Sequence, residues 1–182
     1  MIIGLRTFQG AVAGATLPMA RSAALWVIFP AVLALSAPAG TLEDAPFRLT
    51  LPAGDWQFEG TDPIRDRSIN LVRIAYATNS TGLRTLVMRH ELQETTGDPL
   101  EQLAGTMYTT LTTNQVKVTM TATNFVGHPA RLLVYEMTIP NETAYTEAIL
   151  LVTGDAGWTI AAMGPAGREA EIKQILSFYS TK

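Results

Sequence analysis

At 182 residues, with 47% hydrophobic and 16% charged side chains, the chain is long enough for one packed core and too apolar for intrinsic disorder. A formal net charge of −3 argues against nucleic acid or anionic lipid as the main partner, since both reward basic patches. No cysteine is present, which excludes disulfides, a lipoprotein anchor and thiol chemistry.

The chain opens on an export signal. Ser22 to Ala39 carries no charge, follows Arg21, and ends in Ala37-Pro38-Ala39, the small-x-small form a signal peptidase cleaves. Residues 1–39 therefore read as a signal peptide cut after Ala39, with Pro30 and the Ala-Pro-Ala exit arguing against a retained membrane anchor. Met19 offers a better translation start than Met1, because Met19-Ala20-Arg21 leads directly into the apolar run. The mature product is expected in the periplasm or outside the cell, touching a membrane only if the signal is retained. Cleavage removes Arg6 and Arg21 and no acid, so the remaining domain is more acidic still.

Residues 40–46 form a polar, Pro-containing lead-in, and 47–182 a single domain. Phe47 to Leu51 alternates apolar and polar residues and stops at Pro52, as an edge or entry strand does. Ala53-Gly54-Asp55 turns the chain and delivers Trp56 and Phe58 to the core surface. Gly60 to Asp66 reads as a loop. Leu71 to Tyr76 and Leu83 to Gln93 are strands joined by a turn at Asn79-Ser80-Thr81-Gly82. On the second, His90 shares a face with Leu86, Met88 and Leu92.

Asp98-Pro99-Leu100-Glu101 is the sharpest local signal. Asp suits an N-cap, Pro suits N1 where no N–H is needed, and Glu three residues on completes a capping-box-like arrangement. The helix so begun carries Leu100, Leu103, Ala104, Met107 and Leu111 on one stripe, and the threonines around Asn114 end it.

The stretch from Val116 to Ile139 reads as the centre around which the rest is layered. Val118, Met120 and Ala122 alternate with threonines as in a half-buried strand, the Gly127-His128-Pro129 turn follows, and Ala130 to Met137 is apolar on both faces at its centre, as an inner strand is. Thr143 to Val152 and Trp158 to Met163 form a further hairpin, the latter as the last strand. Arg168 to Tyr179 is a closing helix with Ile172, Ile175, Leu176 and Tyr179 on one face.

This order resembles the PsbP-like superfamily, which includes bacterial envelope domains of the DcrB type. The matching residues are Phe47 to Pro52 with Gly54 and Trp56, then Gly127, Pro129, Ala130 and Tyr135, then Trp158 and the closing Ile175-Leu176-Ser177-Phe178. The resemblance implies an α+β domain, an antiparallel sheet of about six or seven strands sandwiched by two main α-helices. It also implies a noncatalytic role through protein contacts.

No catalytic or metal-binding pattern stands out. Two histidines, His90 and His128, cannot build a three-histidine zinc site, and neither a nucleophile elbow nor a phosphate-binding loop is present. Asp55, Glu59, Asp62 and Asp66 could in principle hold calcium, but the interleaved Arg65 and Arg67 compete for them and make a solvated surface the expectation. The Asn79 and Asn141 glycosylation tripeptides read as chance matches. No enzyme activity and no cofactor are expected. The candidate ligand or partner contacts are Trp56, Trp158 and His128. The leading expectation is an interaction or assembly-accessory domain with an envelope protein partner. The alternative is a small-ligand or lipid carrier, with Trp56, Trp158, Tyr76 and methionines lining a cleft.

Overall fold

The computed structural model describes residues 45–52, 55–59, 64–66, 71–92, 96–139 and 142–182. The signal segment, Asp62 and Asn141 lie outside these residues. Within them the order is β1 (Phe47–Leu49), β2 (Gln57–Glu59), β3 (Ile64–Asp66), β4 (Leu71–Thr78), β5 (Arg84–Glu91), α1 (Pro99–Thr113), β6 (Val118–Phe125), β7 (His128–Ile139), β8 (Glu142–Thr153), β9 (Ala156–Pro165), α2 (Glu169–Ile175) and β10 (Tyr179–Thr181), with one 3₁₀ turn at Leu176–Phe178.

One antiparallel sheet runs β2-β4-β5-β9-β8-β7-β6, with β3 also pairing β4, while β1 and β10 form a separate two-stranded sheet. The seven-stranded path meets the expected architecture. Its centre does not. β8 and β9 sit in the middle, where Thr146 to Leu151 and Ala156 to Ala162 are buried without a break, because both faces of these strands are covered. β6 lies at the edge, so the hairpin read as the hub is peripheral.

Alternate residues of each strand build the two faces. On one, Leu100, Ala104 and Leu111 of α1 pack on Leu133, Ala148, Leu150 and Ala161. On the other, Ile172 and Ile175 of α2 join Phe47, Val87, Trp158, Ile160 and Tyr179. Two glycines on β9 set these contacts. A methyl group at Gly157 would come 2.9 Å from Leu103 of α1, and one at Gly164 would come 2.9 Å from Leu83 and 3.3 Å from Ile172 of α2. Each helix thus approaches the same strand from its own side.

Local chemistry explains α1. The Asp98 side chain accepts from the Leu100 amide at 2.9 Å, Pro99 occupies the first turn, and Asn114 caps the far end. Glu101 does not complete a capping box. Its carboxylate pairs with Arg131 on β7, tying the helix start to the sheet. Near the C-terminus the Thr110 and Thr112 hydroxyls bond the carbonyls of Thr106 and Tyr108, a competition with the backbone that weakens helix propagation.

Three further readings change. The β6–β7 turn is Val126-Gly127, with φ of 45° and 84°, while His128 and Pro129 already belong to β7, opposite Phe125 and Asn124. Positive φ at both central residues is the hairpin geometry that matches strand twist, and a β-branched residue there is strained. Val126 packs against the aromatic side of the core, which offsets that cost. Part of the expected loop before β4 forms β3. The closing helix stops at Ile175, and Tyr179 lies in β10, pairing with Leu49, so Phe47–Leu49 joins the C-terminus instead of the main sheet.

Candidate functional site

Trp56 and Trp158, two of the three candidate contacts, are core residues. Trp158 is 1% exposed and Trp56 6%. Phe47 meets both Trp158 and Tyr179 edge-to-face at 5.6 Å, and Trp56 meets Phe178 in the same way at 5.8 Å. Such geometry aligns the positive edge of one ring with the negative face of the next. The Trp158 indole N–H donates to the Thr153 hydroxyl at 3.1 Å, so even its polar end is internally bonded. These rings form a wall and leave little of either indole for a ligand.

His128, the third, is half-buried at the start of β7. Its cross-strand partner Phe125 packs on Tyr179 at 6.1 Å, which puts His128 on the α2 side. His90 occupies the α1 side, opposite Gly157. The sheet therefore separates the two histidines, and they cannot act together. His90 is 8% exposed, its Nε2 lies 2.8 Å from Thr159 Oγ1, and burial lowers its pKa to about 4. It is neutral at physiological pH, because removing a cation from water there is unfavourable.

A second polar constellation sits on the α2 side of β7 and β8. Glu147 is 6% exposed, and the Tyr145 hydroxyl donates to its Oε1 at 2.9 Å. Burial, then the bond to Glu147 and the charges of Glu147, Glu169 and Glu136, push the Tyr145 phenol up to about 12. It stays protonated and serves as a donor. Sequence reading missed this pair as a site, although a glutamate in an alternating series with Tyr145, Ile149 and Leu151 carried the signal. The Tyr179 hydroxyl is likewise internal, 2.6 Å from Thr85 Oγ1, which also donates to the Ala161 carbonyl at 3.0 Å.

Among the early acids, Asp55 accepts from the Ser80 amide at 3.2 Å and from its hydroxyl, and that hydroxyl bond holds the Asp55 carboxyl below its usual range. Asn79 is absorbed in the same turn, its side-chain oxygen accepting from the Thr81 and Leu83 amides. No group of three or more potential metal ligands assembles among the described residues. No helix among them is long and apolar enough to cross a membrane.

No family model and no curated protein sequence matches the chain. Solved structures do. The solution structure of cyanobacterial PsbP (CyanoP) from Synechocystis superposes with a TM-score of 0.52 at 12% identity, over 77% of this chain and 89% of that one. LpqN, described as involved in cell envelope biogenesis of Mycobacterium tuberculosis, gives 0.41 at 11% identity over 75% and 83%. A Bacteroides thetaiotaomicron protein gives 0.45 at 11% over 75% and 45%. The chain has the PsbP-like fold, as the resemblance in its order of elements implied.

Proposed function

We propose that the chain is an exported, noncatalytic interaction or assembly-accessory domain of the cell envelope. The observation that carries this reading is where the polar chemistry lies. His90 with Thr159, Tyr179 with Thr85 and Tyr145 with Glu147 are partnered within the domain. Two exposed surfaces are instead rich in uncharged threonine: Thr106, Thr109, Thr110, Thr112 and Thr113 on α1, and Thr119 and Thr121 of β6 on the opposite face of the sheet. Neutral hydroxyls of this kind can pair with a protein partner at small desolvation cost compared with charges. The fold shared with cyanobacterial PsbP and the apolar segment ahead of Ala39 support the same reading.

Affinity capture from envelope extracts after mild cross-linking tests it. A specific envelope protein should be recovered, with the captured chain beginning at Gly40. Capture that returns no partner, from a chain found only in the cytoplasm with Met1 or Met19 at its start, would overturn the reading. A native mass spectrum showing a constant bound small molecule would replace it with the carrier function.

A further inference from the structure

The two edges of the main sheet are built differently. At one edge β2 and β3, three residues each, share the outer side of β4. At the other, β6 offers eight residues, Val-Thr-Met-Thr-Ala-Thr-Asn-Phe, with no charge and no proline. Proteins commonly blunt an exposed edge with charges, proline, bulges or short strands. β6 shows none of these, and its register with β7 is unbroken from Val118 to Phe125.

That register also decides which backbone groups are open. The two-residue turn Val126-Gly127 closes on Phe125 and His128, and such turns close on a hydrogen-bonded pair. Phe125, Thr123, Thr121 and Thr119 therefore direct their amides and carbonyls to β7. Val118, Met120, Ala122 and Asn124 direct theirs outward.

We propose that β6 is a dimerisation edge: two copies of the chain pair their β6 strands antiparallel about a two-fold axis at Thr121, making one continuous sheet. In this register Val118 faces Asn124 of the second copy and Met120 faces Ala122. All four outward residues of each copy then enter hydrogen-bonded pairs, and two-fold symmetry puts both α1 helices on the same side. Neighbouring registers leave one or more of the four unmatched within the strand. The edge carries no like charges to repel across the axis, although the chain as a whole is acidic.

Apolar surface flanks the edge. Tyr108 and Met137 are the two exposed large hydrophobic side chains among the described residues. Tyr108 lies two turns after Glu101, on the side of α1 from which Glu101 reaches Arg131 of β7. Met137 shares the α1 face with Tyr135, the cross-strand partner of Val118. At roughly one hydrogen bond per 100–200 Å², the four symmetric pairs, with two bonds each, correspond to about 800–1,600 Å². Stable interfaces bury about 1,200–2,000 Å², so the dimer should be reversible and dissociate on dilution.

The test uses the chain as purified from its cell. Sedimentation equilibrium should give a monomer–dimer equilibrium. Ala122→Pro removes an outward amide while sparing the β6–β7 ladder, and should weaken association about 100-fold, tenfold for the bond lost in each copy. Its circular dichroism and melting should match the parent. Because the chain lacks cysteine, Thr121→Cys introduces its one thiol, placed about 4.5 Å in Cα separation from its symmetry mate, within reach of a disulfide. It should cross-link on mild oxidation, whereas Thr119→Cys, whose opposite residue is Thr123, should not. A monomer at every accessible concentration, or equal cross-linking at both positions, overturns the proposal. A monomer whose β6 instead captures an extended peptide, in a manner lost in Ala122→Pro, overturns it in favour of strand addition from another protein.

Discussion

The same strands serve both faces of the sheet, yet the faces are filled in opposite ways. On the α1 side a fifteen-residue helix lays an aliphatic stripe over Leu133, Ala148 and Leu150, with one buried titratable group, His90, at its border. On the α2 side the helix has seven residues, too few to cover the strands, and the area is closed by aromatic rings together with β1 and β10. Phe47, Trp158 and Tyr179 in consecutive edge-to-face contact supply what a longer helix supplies opposite. A short helix thus demands bulk from elsewhere in the chain, and that bulk comes from β1, β9 and β10.

The largest expected effect breaks the aromatic side. Trp158→Ala should cost about 3–5 kcal/mol, because the cavity opens beneath Phe47 and the surrounding rings cannot collapse into it. Leu133→Ala, its counterpart under α1, should cost about 2–5 kcal/mol and fall below Trp158→Ala. Urea midpoints read at constant slope decide the order, and the reverse ranking would mean that the aliphatic face holds the fold.

The α1 face should own the acid sensitivity of its buried histidine. His90 has a folded pKa near 4 against an ordinary value of 6.5, so the unfolded chain binds a proton over that window while the folded chain does not. The stability contribution is fully present above pH 6.5 and is lost as pH falls toward 4, to an extent of about 3 kcal/mol. His90→Gln should flatten that part of the pH–stability curve. An unchanged slope in the variant would assign the loss to carboxylates elsewhere.

The smallest effect concerns the helix start. Asp98→Ala removes the acceptor for the Leu100 amide and should cost about 1 kcal/mol. Hydrogen exchange should show faster opening confined to the first turn of α1. Protection lost equally across β8 would instead make the cap part of the global unit.

How far these features were legible in the sequence follows from the range of the interactions involved. The Asp98 cap, the Asn79 turn and the helical stripe of α1 are contacts within a few residues, and sequence displays them directly. Even the burial of His90 could be read, from alternation with Leu86, Met88 and Leu92. Alternation also marks β6 as a half-buried strand, yet it says nothing of how many neighbours a strand has, and β6 lies at the edge of the sheet instead of its centre. Tyr179 followed Ile172 and Ile175 at helical spacing. A three-residue strand is too short to show its own period, so the helical spacing runs on through it. Sequence favours a core lid over a ligand platform for Trp56, but the ring partners of Trp56 and Trp158, Phe178 and Phe47, lie far off in sequence and are visible only in the fold.

By itself, then, the sequence determined the hairpin strands and the points where α1 begins and ends, because hydrophobic period and turn chemistry are written in neighbouring residues, while the sandwich of sheet and helices entered as what the resemblance implied. Tertiary structure alone decided that the two ends of the domain meet as β1 and β10, that the histidines part to opposite faces, and that β6 has no second strand neighbour among the described residues. Each of these depends on which strand lies beside which. That choice is made by the burial of the whole core, in which every alternating strand is locally equivalent until the sheet is assembled.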